Sequence, residues 1–219
     1  QRQMCIRDSA NGSCLVRYGE TAVLVTATAS AKPRDGIDFF PLSVDFEERM
    51  YAVGRIPGSF MRREGRPSEK AILSSRQIDR PMRPLFPKDY RNDVTLNNLV
   101  LSVDPTCSPE LTAMLGSAIA TAISDIPFAG PCAMTQIGMI DGEFIVNPGQ
   151  ADYKVSDLKL TVASTREKVI MIEAGANEIP EAKMIEAIYK AHEVNQQVIA
   201  FIDQIVAAVS YPHLRAHAT

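Results

Sequence analysis

Residues 54–81 read GRIPGSFMRREGRPSEKAILSSRQIDRP, and most of the interpretation of this chain depends on them. The first half mixes glycine, proline and arginine, which predicts a shaped loop rather than a helix surface. In the second half, Ser68 precedes an acidic residue and apolar positions at helical spacing. This pattern predicts a helix with Ser68 as its N-cap and Pro81 as its end.

The charge of this region is opposite to that of the whole chain. Residues 49–91 hold 11 Lys and Arg against 4 Asp and Glu, whereas the formal net charge of the chain is −3. Guanidinium groups match phosphate oxygens in geometry and stay charged, so the segment predicts a polyanionic partner. A solvated positive face is the alternative interpretation.

The residue types inside the loop favour single-stranded nucleic acid. Phe60 and Met61 stand beside Arg62 and Arg63, which pairs an apolar platform for a base with cations for the backbone. The full candidate RNA-binding set adds Arg66 and three later arginines, Arg76, Arg80 and Arg83. A helix would present Arg76 and Arg80 on one side. Prolines on both sides of Arg83 leave its direction open.

Outward from this segment, the chain alternates predicted strands and helices. Helix starts are predicted at Ser68 and at Ser108-Pro109-Glu110. Pro180 is expected to open a long third helix. The apolar stripe of that helix would consist of Ile185, Ile188, Val198, Ile199, Ile202 and Ile205. Hairpins are predicted at Gly19-Glu20 and Asp141-Gly142. Strands are expected at 13–18, 21–29, 40–46, 94–103, 136–140, 143–146, 158–163 and 168–173. The expected fold is an α/β (α+β) domain with mixed sheets packed against helices.

Composition excludes several classes. With 219 residues and 46% hydrophobic content the chain can bury a sizeable core, and no apolar run approaches the length of a membrane span. The four cysteines lack metal-like spacing and are expected to be reduced in a cytoplasmic protein. No Gly-rich phosphate loop is present, and His192 is expected to be structural.

The two ends differ from the rest of the chain. The segments QRQMCIRDS and SYPHLRAHAT at the two ends resemble translated adapter sequence, so we expect an internal piece of a longer protein. Frayed termini are the alternative. The predicted organisation is a leader at 1–9, one core domain at 10–206 and a tail at 207–219. Removal of both ends is expected to leave the thermal midpoint nearly unchanged.

Two motifs carry a family resemblance. Residues 54–67, GRIPGSFMRREGRP, and residues 75–86, SRQIDRPMRPLF, resemble the bacterial polynucleotide phosphorylases, specifically the first of their two core domains of ribonuclease PH type. Residues 16–21, VRYGET, and 124–128, SDIPF, fit the same domain. The resemblance implies a ribonuclease PH-like fold of the ribosomal protein S5 domain 2-like type.

The resemblance also implies an activity and an assembly. The family is a 3′-to-5′ exoribonuclease that uses inorganic phosphate to release nucleoside diphosphates from single-stranded RNA and mRNA. It forms a homotrimeric ring, uses Mg²⁺, is not bound to a membrane, and can join an RNA-degradation complex.

The same resemblance assigns roles to single residues. The loop that matches residues 60–63 grips RNA in the family, although Met61 stands where a second Phe is common. The phosphate and metal sites belong to the second core domain, which is not part of this sequence. At the corresponding places here, Glu110 follows Ser108 and Lys159 follows Asp157, so no catalytic or metal-binding residue is expected in this chain. The alternatives are a non-catalytic RNA-binding ring subunit of an exosome-like assembly and an autonomous ribonuclease PH-like enzyme.

Overall fold

The computed structural model describes residues 10–34, 36–58, 60 and 62–209. They form two four-stranded sheets packed with four helices. The helices are α1 (Glu69–Met82), α2 (Pro109–Ala122), α3 (Gln150–Val155) and α4 (Glu181–Val209). The predicted leader 1–9 and residues 210–219 of the tail lie outside the described residues.

The first sheet has the strand order β1-β2-β4-β3. Its strands are β1 (Gly12–Tyr18), β2 (Thr21–Ala29), β3 (Leu42–Glu48) and β4 (Val94–Ser102). The strands β1 and β2 form the predicted antiparallel hairpin, and β2 pairs antiparallel with β4. The β3–β4 pair is parallel, so the chain must cross over between them. That crossover contains the arginine-rich loop and α1.

The second sheet has the strand order β6-β5-β7-β8 and is antiparallel throughout. Its strands are β5 (Ala133–Ile140), β6 (Glu143–Val146), β7 (Leu158–Ser164) and β8 (Val169–Ala176). The predicted turn between β5 and β6 is confirmed, because Asp141 and Gly142 have φ angles of 51° and 82°, as a tight hairpin turn requires.

Helix α2 lies at the centre of the molecule. It packs against β1 and β2 of the first sheet, against β5 of the second, and against α4. Eleven of its residues are buried, which agrees with a helix that is apolar nearly all round. Ala118, Ile119 and Ile202 form a cluster that joins α2 to α4.

Several local predictions need correction. In the second sheet, β5 begins at Ala133 rather than residue 136, and β8 ends at Ala176 rather than residue 173. The third strand begins at Leu42 rather than residue 40, because Phe40 packs against the rings of Phe86 and Tyr90 instead. Pro81 does not end its helix: α1 continues to Met82, and a 3-10 turn follows at Arg83–Leu85. A proline in the last turn removes only one helical hydrogen bond. Ile185 is exposed and does not belong to the buried stripe of α4.

Candidate nucleic-acid interface

The connection from β3 to α1 begins with a 3-10 turn at Met50–Val53. Gly54 ends this turn with a φ of 68°, a left-handed conformation that glycine adopts without strain. The described residues between Gly54 and Ser68 form no helix or strand. The Ser68 hydroxyl accepts a hydrogen bond of 3.1 Å from the Ala71 N–H and caps α1 as predicted. The arginine-rich stretch is therefore a loop between two defined ends.

A carboxylate fixes the middle of this loop. Glu64 Oε2 accepts a hydrogen bond of 2.6 Å from Arg49 Nη1, and Glu64 Oε1 accepts one of 2.7 Å from the Met50 N–H. The hydrogen bond from Arg49 lowers the pKa of Glu64, and the bond to Met50 lowers it further. Arg49 also contacts Glu47 on β3. Glu64 thus ties the loop to the end of the first sheet.

The residues around this anchor point to solvent. Phe60 is fully exposed, and Arg62, Arg63 and Arg66 are exposed as well. Within the described residues, none of the three arginines makes a hydrogen bond or an ion pair. Arg62 has a φ of 47°, a left-handed conformation that is uncommon for a residue with a Cβ atom. Among its described residues the loop therefore holds one unburied aromatic ring and four guanidinium groups without a hydrogen-bonded or ionic partner, those of Arg55, Arg62, Arg63 and Arg66.

Two of these arginines border a cavity. A volume of about 710 Å³ lies beneath the loop, and its walls include Arg63, Arg66, Phe46 and the first turn of α1. Glu47, Glu48 and Glu64 line the same cavity, and Arg49 and Lys70 pair with these carboxylates. The carboxylates that line the cavity are therefore paired with Arg49 and Lys70, whereas Arg63 and Arg66 have no hydrogen-bonded or ionic partner among the described residues.

Arg76 and Arg80 occupy the exposed side of α1, as predicted. Within the described residues neither makes a hydrogen bond or an ion pair. At the rise of an α-helix they lie about 12 and 18 Å along the axis from Ser68. The structure therefore places them on a neighbouring surface rather than at the cavity that Arg63 and Arg66 border.

Arg83 differs from the other candidates because the protein itself occupies its guanidinium group. Its Nε and Nη2 contact the Asp79 carboxylate at 3.1 and 2.7 Å, and its Nη1 and Nη2 donate to the carbonyls of Phe40 and Leu42 at 3.0 and 3.1 Å. Its role as an RNA contact stays a prediction, but these bonds favour a structural role that joins α1 to β3. Met61, the remaining candidate, lies outside the described residues.

The sequence interpretation missed two features of this region. It counted Arg49 among the excess positive charge, although the acidic pair Glu47-Glu48 just before it could have indicated an internal ion pair. It also passed over Tyr51 and Ile56, two further large side chains that are exposed and lie close to Phe60 in the sequence.

The start of α2 carries a glutamate, Glu110, where a phosphate-binding helix start would be expected to lack a negative charge. Ser108 caps the helix, and its Oγ donates a hydrogen bond of 2.7 Å to Glu110 Oε2. Lys70 Nζ lies 3.1 Å from Glu110 Oε1. Burial raises the pKa of Glu110, but the charge of Lys70 and the bond from Ser108 outweigh it, so the pKa is lowered overall. A permanent carboxylate therefore occupies this helix start.

The chain's residues do not fit the Mg²⁺ that the resemblance implies for the family. Glu110 is committed to Lys70 and Ser108, and the exposed Asp157 is accompanied by Lys159 in place of a second acid. Among the described residues, no three His, Cys, Asp or Glu side chains are grouped so that they could hold a metal ion.

Comparison with known proteins gives a consistent result. The model of the 3′ exoribonuclease family, domain 1, matches residues 3–127, and that of domain 2 matches residues 130–194. The chain is 74% identical over 198 residues to a polyribonucleotide nucleotidyltransferase of Lachnoclostridium phytofermentans, covering 90% of this chain. It is 60% identical over 200 residues to that of Alkaliphilus oremlandii, covering 91% of this chain. The chain spans 28% of the length of each of these relatives.

A solved structure supports the fold. The chain resembles rice (Oryza sativa) Rrp46 with a TM-score of 0.74 at 14% sequence identity, covering 91% of this chain and 90% of that one. The predicted ribonuclease PH-like fold and the predicted family resemblance are both confirmed. The chain belongs to the 3′ exoribonuclease family.

Proposed function

We propose that this chain is the first core domain of a polyribonucleotide nucleotidyltransferase and that its own contribution is to hold single-stranded RNA. The parent reaction is phosphorolysis: an oxygen of inorganic phosphate attacks the phosphorus of the 3′-terminal linkage. The bond from that phosphorus to the 3′ oxygen of the preceding nucleotide breaks. That oxygen takes up a proton to become the 3′ hydroxyl of an RNA one nucleotide shorter, and the terminal nucleotide is released as a nucleoside diphosphate. Support comes from relatives that bear this name at 55–74% identity.

The single observation that carries the role in RNA binding is the loop geometry. Arg62, Arg63 and Arg66 are exposed without a described partner, next to the exposed ring of Phe60, while Glu64 fixes the loop. Free guanidinium groups neutralise backbone phosphates, and an unburied ring offers a surface on which any base can stack. Arg76 and Arg80 extend the positive surface along α1, and Met61 and Arg83 complete the proposed set.

Several properties of the parent protein belong to the same proposal. We propose that it acts in the cytoplasm as a homotrimer, with Mg²⁺ and phosphate bound by a second core domain, and that it can join an RNA-degradation complex. Among the described residues, no helix combines the length and the apolarity that a membrane span requires. The fit of Asp157, Lys159 and Glu110 to a metal or phosphate is poor, which supports placing the chemistry outside this chain.

The test separates charge from stacking in the intact protein that carries this chain. Replacing Arg62 and Arg63 by Ala should weaken single-stranded RNA binding and reduce the slope of log K against log salt by about 1.4, or about 0.7 per lost phosphate contact. Phe60→Ala should cost about 1–3 kcal/mol and leave that slope nearly intact. Binding is measured by fluorescence anisotropy over a range of salt concentrations.

A matched control removes two arginines elsewhere. Arg17 and Arg166 are exposed and pair with Glu20 and Asp203, so their double replacement by Ala changes the net charge equally. This control should keep the wild-type salt slope. If the Arg62 and Arg63 variant bound RNA as tightly as wild type at every salt concentration, the loop would be a solvated surface and the proposal wrong.

A further inference from the structure

A second cavity lies on a different face of α1 from Arg76 and Arg80. It has a volume of about 410 Å³ and is bordered by α1, by the start of α2, by β5 and by α3. It shares no lining residue with the cavity beneath the arginine loop. This size lies within the range of pockets that hold small molecules.

The fixed charges of this cavity disfavour an anion. Lys70 Nζ lies 3.1 Å from Glu48 Oε1 and 3.1 Å from Glu110 Oε1, so one cation serves two carboxylates. The pKa of Glu110 is lowered, which keeps its carboxylate ionised at neutral pH. Asp104 also lines the cavity, and hydrogen bonds from Thr106 lower its pKa, so one cation stands against the carboxylates of Glu48, Glu110 and Asp104 and the local balance is two negative charges in excess. A phosphate group would be repelled, whereas a neutral ligand that donates hydrogen bonds would be accepted.

Gln136 supplies the second observation. It is only 9% exposed and lines the cavity from β5. Its backbone is fully used, because its N–H donates to Asn147 Oδ1 at 3.1 Å and its carbonyl accepts from the Asn147 N–H at 2.7 Å. Its side-chain amide makes no hydrogen bond with any described residue. No side-chain nitrogen or oxygen of the described residues is both fully buried and without a partner, so the Gln136 amide is accessible and can hydrogen-bond to a ligand in the cavity that it lines.

Tyr153 and nearby apolar side chains give the cavity a surface for a planar ring. Tyr153 on α3 is partly buried, and burial together with the charge of Glu110 raises its pKa to about 12. Its hydroxyl therefore stays protonated and can donate. Leu73 and Pro109 line the same cavity. Apolar walls with a few convergent polar groups are typical of a small-molecule site.

We propose that this cavity binds a nucleobase that carries an exocyclic amino group. The Glu110 carboxylate already accepts from Lys70 and Ser108, but a carboxylate has about four lone-pair sites, so the amino group donates to one that remains. The Gln136 amide pairs with the ring edge, and the ring lies against the apolar wall. Uracil presents a carbonyl where cytosine presents its amino group, so uracil would place an acceptor against the carboxylate. The inference does not depend on the arginine loop and goes beyond the proposed function.

The first experiment titrates the chain with cytidine, adenosine, uridine and inorganic phosphate by calorimetry and ligand-observed NMR. Cytidine and adenosine should bind at least about tenfold more tightly than uridine, a difference of about 1.4 kcal/mol. Equal binding of cytidine and uridine would overturn the proposal. So would competition by phosphate, or the absence of nucleoside binding at millimolar concentration.

Variants then place the ligand. Gln136→Leu should weaken cytidine binding at least about tenfold, equivalent to about 1.4 kcal/mol. Gln197→Leu makes the same change on the exposed side of α4 and should have no effect. Glu110→Gln should bring cytidine and uridine to similar affinity, and it keeps the test decisive if Gln136→Leu fails to fold. Unchanged discrimination in a folded Glu110→Gln protein would contradict the assignment.

A competition experiment distinguishes a base that is part of RNA from a free nucleoside or nucleobase. If cytidine displaces a short oligocytidine from the chain, the cavity reads a base within RNA; if the two bind independently, it takes a free nucleoside or nucleobase. Either result supports the site. Gln136→Leu should leave the salt slope of RNA binding unchanged, so failure of this inference is distinguishable from failure of the RNA-binding proposal.

Discussion

Glu64 is a negative residue among arginines. We expect it to favour RNA binding, because it orders the loop, although its charge alone would repel phosphate. Replacing Glu64 by Ala removes a carboxylate that repels phosphate, yet it also removes the bonds to Arg49 and Met50 that fix the loop. Because a mobile loop must be ordered when RNA binds, we expect several-fold weaker binding. Glu69→Ala removes a nearby exposed carboxylate without loosening the loop and should bind as well as wild type. Tighter binding by Glu64→Ala would show that charge, not order, dominates.

The same anchor predicts a pH dependence. The bond from Arg49 holds the pKa of Glu64 below its ordinary value of 4.5 in the folded state. Because this pKa is lower in the folded state, the Glu64 anchor contributes its full stabilisation above the pKa of the unfolded state. That stabilisation is lost as pH falls through the pKa of the folded state. Amide exchange in residues 62–67, relative to the strands, should therefore be constant from neutral pH to about 5 and accelerate only below the ordinary pKa of a carboxyl. Acceleration near neutral pH would contradict the assignment.

Among the elements, the contact of α2 with the first sheet depends on a glycine. A Cβ atom at Gly116 would lie 2.5 Å from Val25 Cγ2, closer than the two atoms can approach. Gly116→Ala should therefore destabilise the protein by about 1–3 kcal/mol through overpacking, although alanine in a helix usually stabilises by about 1 kcal/mol. Urea unfolding measures the change.

A second substitution tests whether the Val25 contact is the cause. Val25→Ala alone creates a small cavity and should also destabilise. Combined with Gly116→Ala, it should cost less than the sum of the two single changes, since the methyl group that clashes is gone. If the changes in the free energy of unfolding of the two single variants simply added in the double variant, contact with Val25 would not be the cause of the destabilisation.

Elements that depend on neighbouring residues were predictable from the sequence. The hairpins at Gly19-Glu20 and Asp141-Gly142 and the caps at Ser68 and Ser108 were confirmed because their determinants are local. Features that depend on distant residues were not. The start of β3 shifted because Phe40 packs with residues more than forty positions away.

The candidate site shows the same division. Composition predicted an arginine-rich surface, and the loop does present Arg62, Arg63 and Arg66 to solvent. It could not separate them from Arg83, whose partners include the Phe40 and Leu42 carbonyls. The cavity at Gln136 was equally out of reach, because four separate elements form it.

For the whole molecule, we expect no phosphorolytic activity from the isolated chain. The Glu110 carboxylate, held by Lys70 and Ser108, occupies the start of α2, and Lys159 stands beside Asp157. The purified chain with labelled RNA, Mg²⁺ and phosphate should release no nucleoside diphosphate, whereas the intact protein should. Sustained release that follows the chain through purification would show that it holds a complete site.

The parallel pairing of β3 with β4 also bears on how this family can change over evolutionary time. The crossover places the arginine loop between a sheet and a helix that are each held by their own contacts. Closing a longer loop costs only about 0.6 kcal/mol for each doubling of its length. Selection can therefore lengthen, shorten or rewrite the arginine-rich loop with little penalty to folding, while the scaffold on both sides of it stays the same.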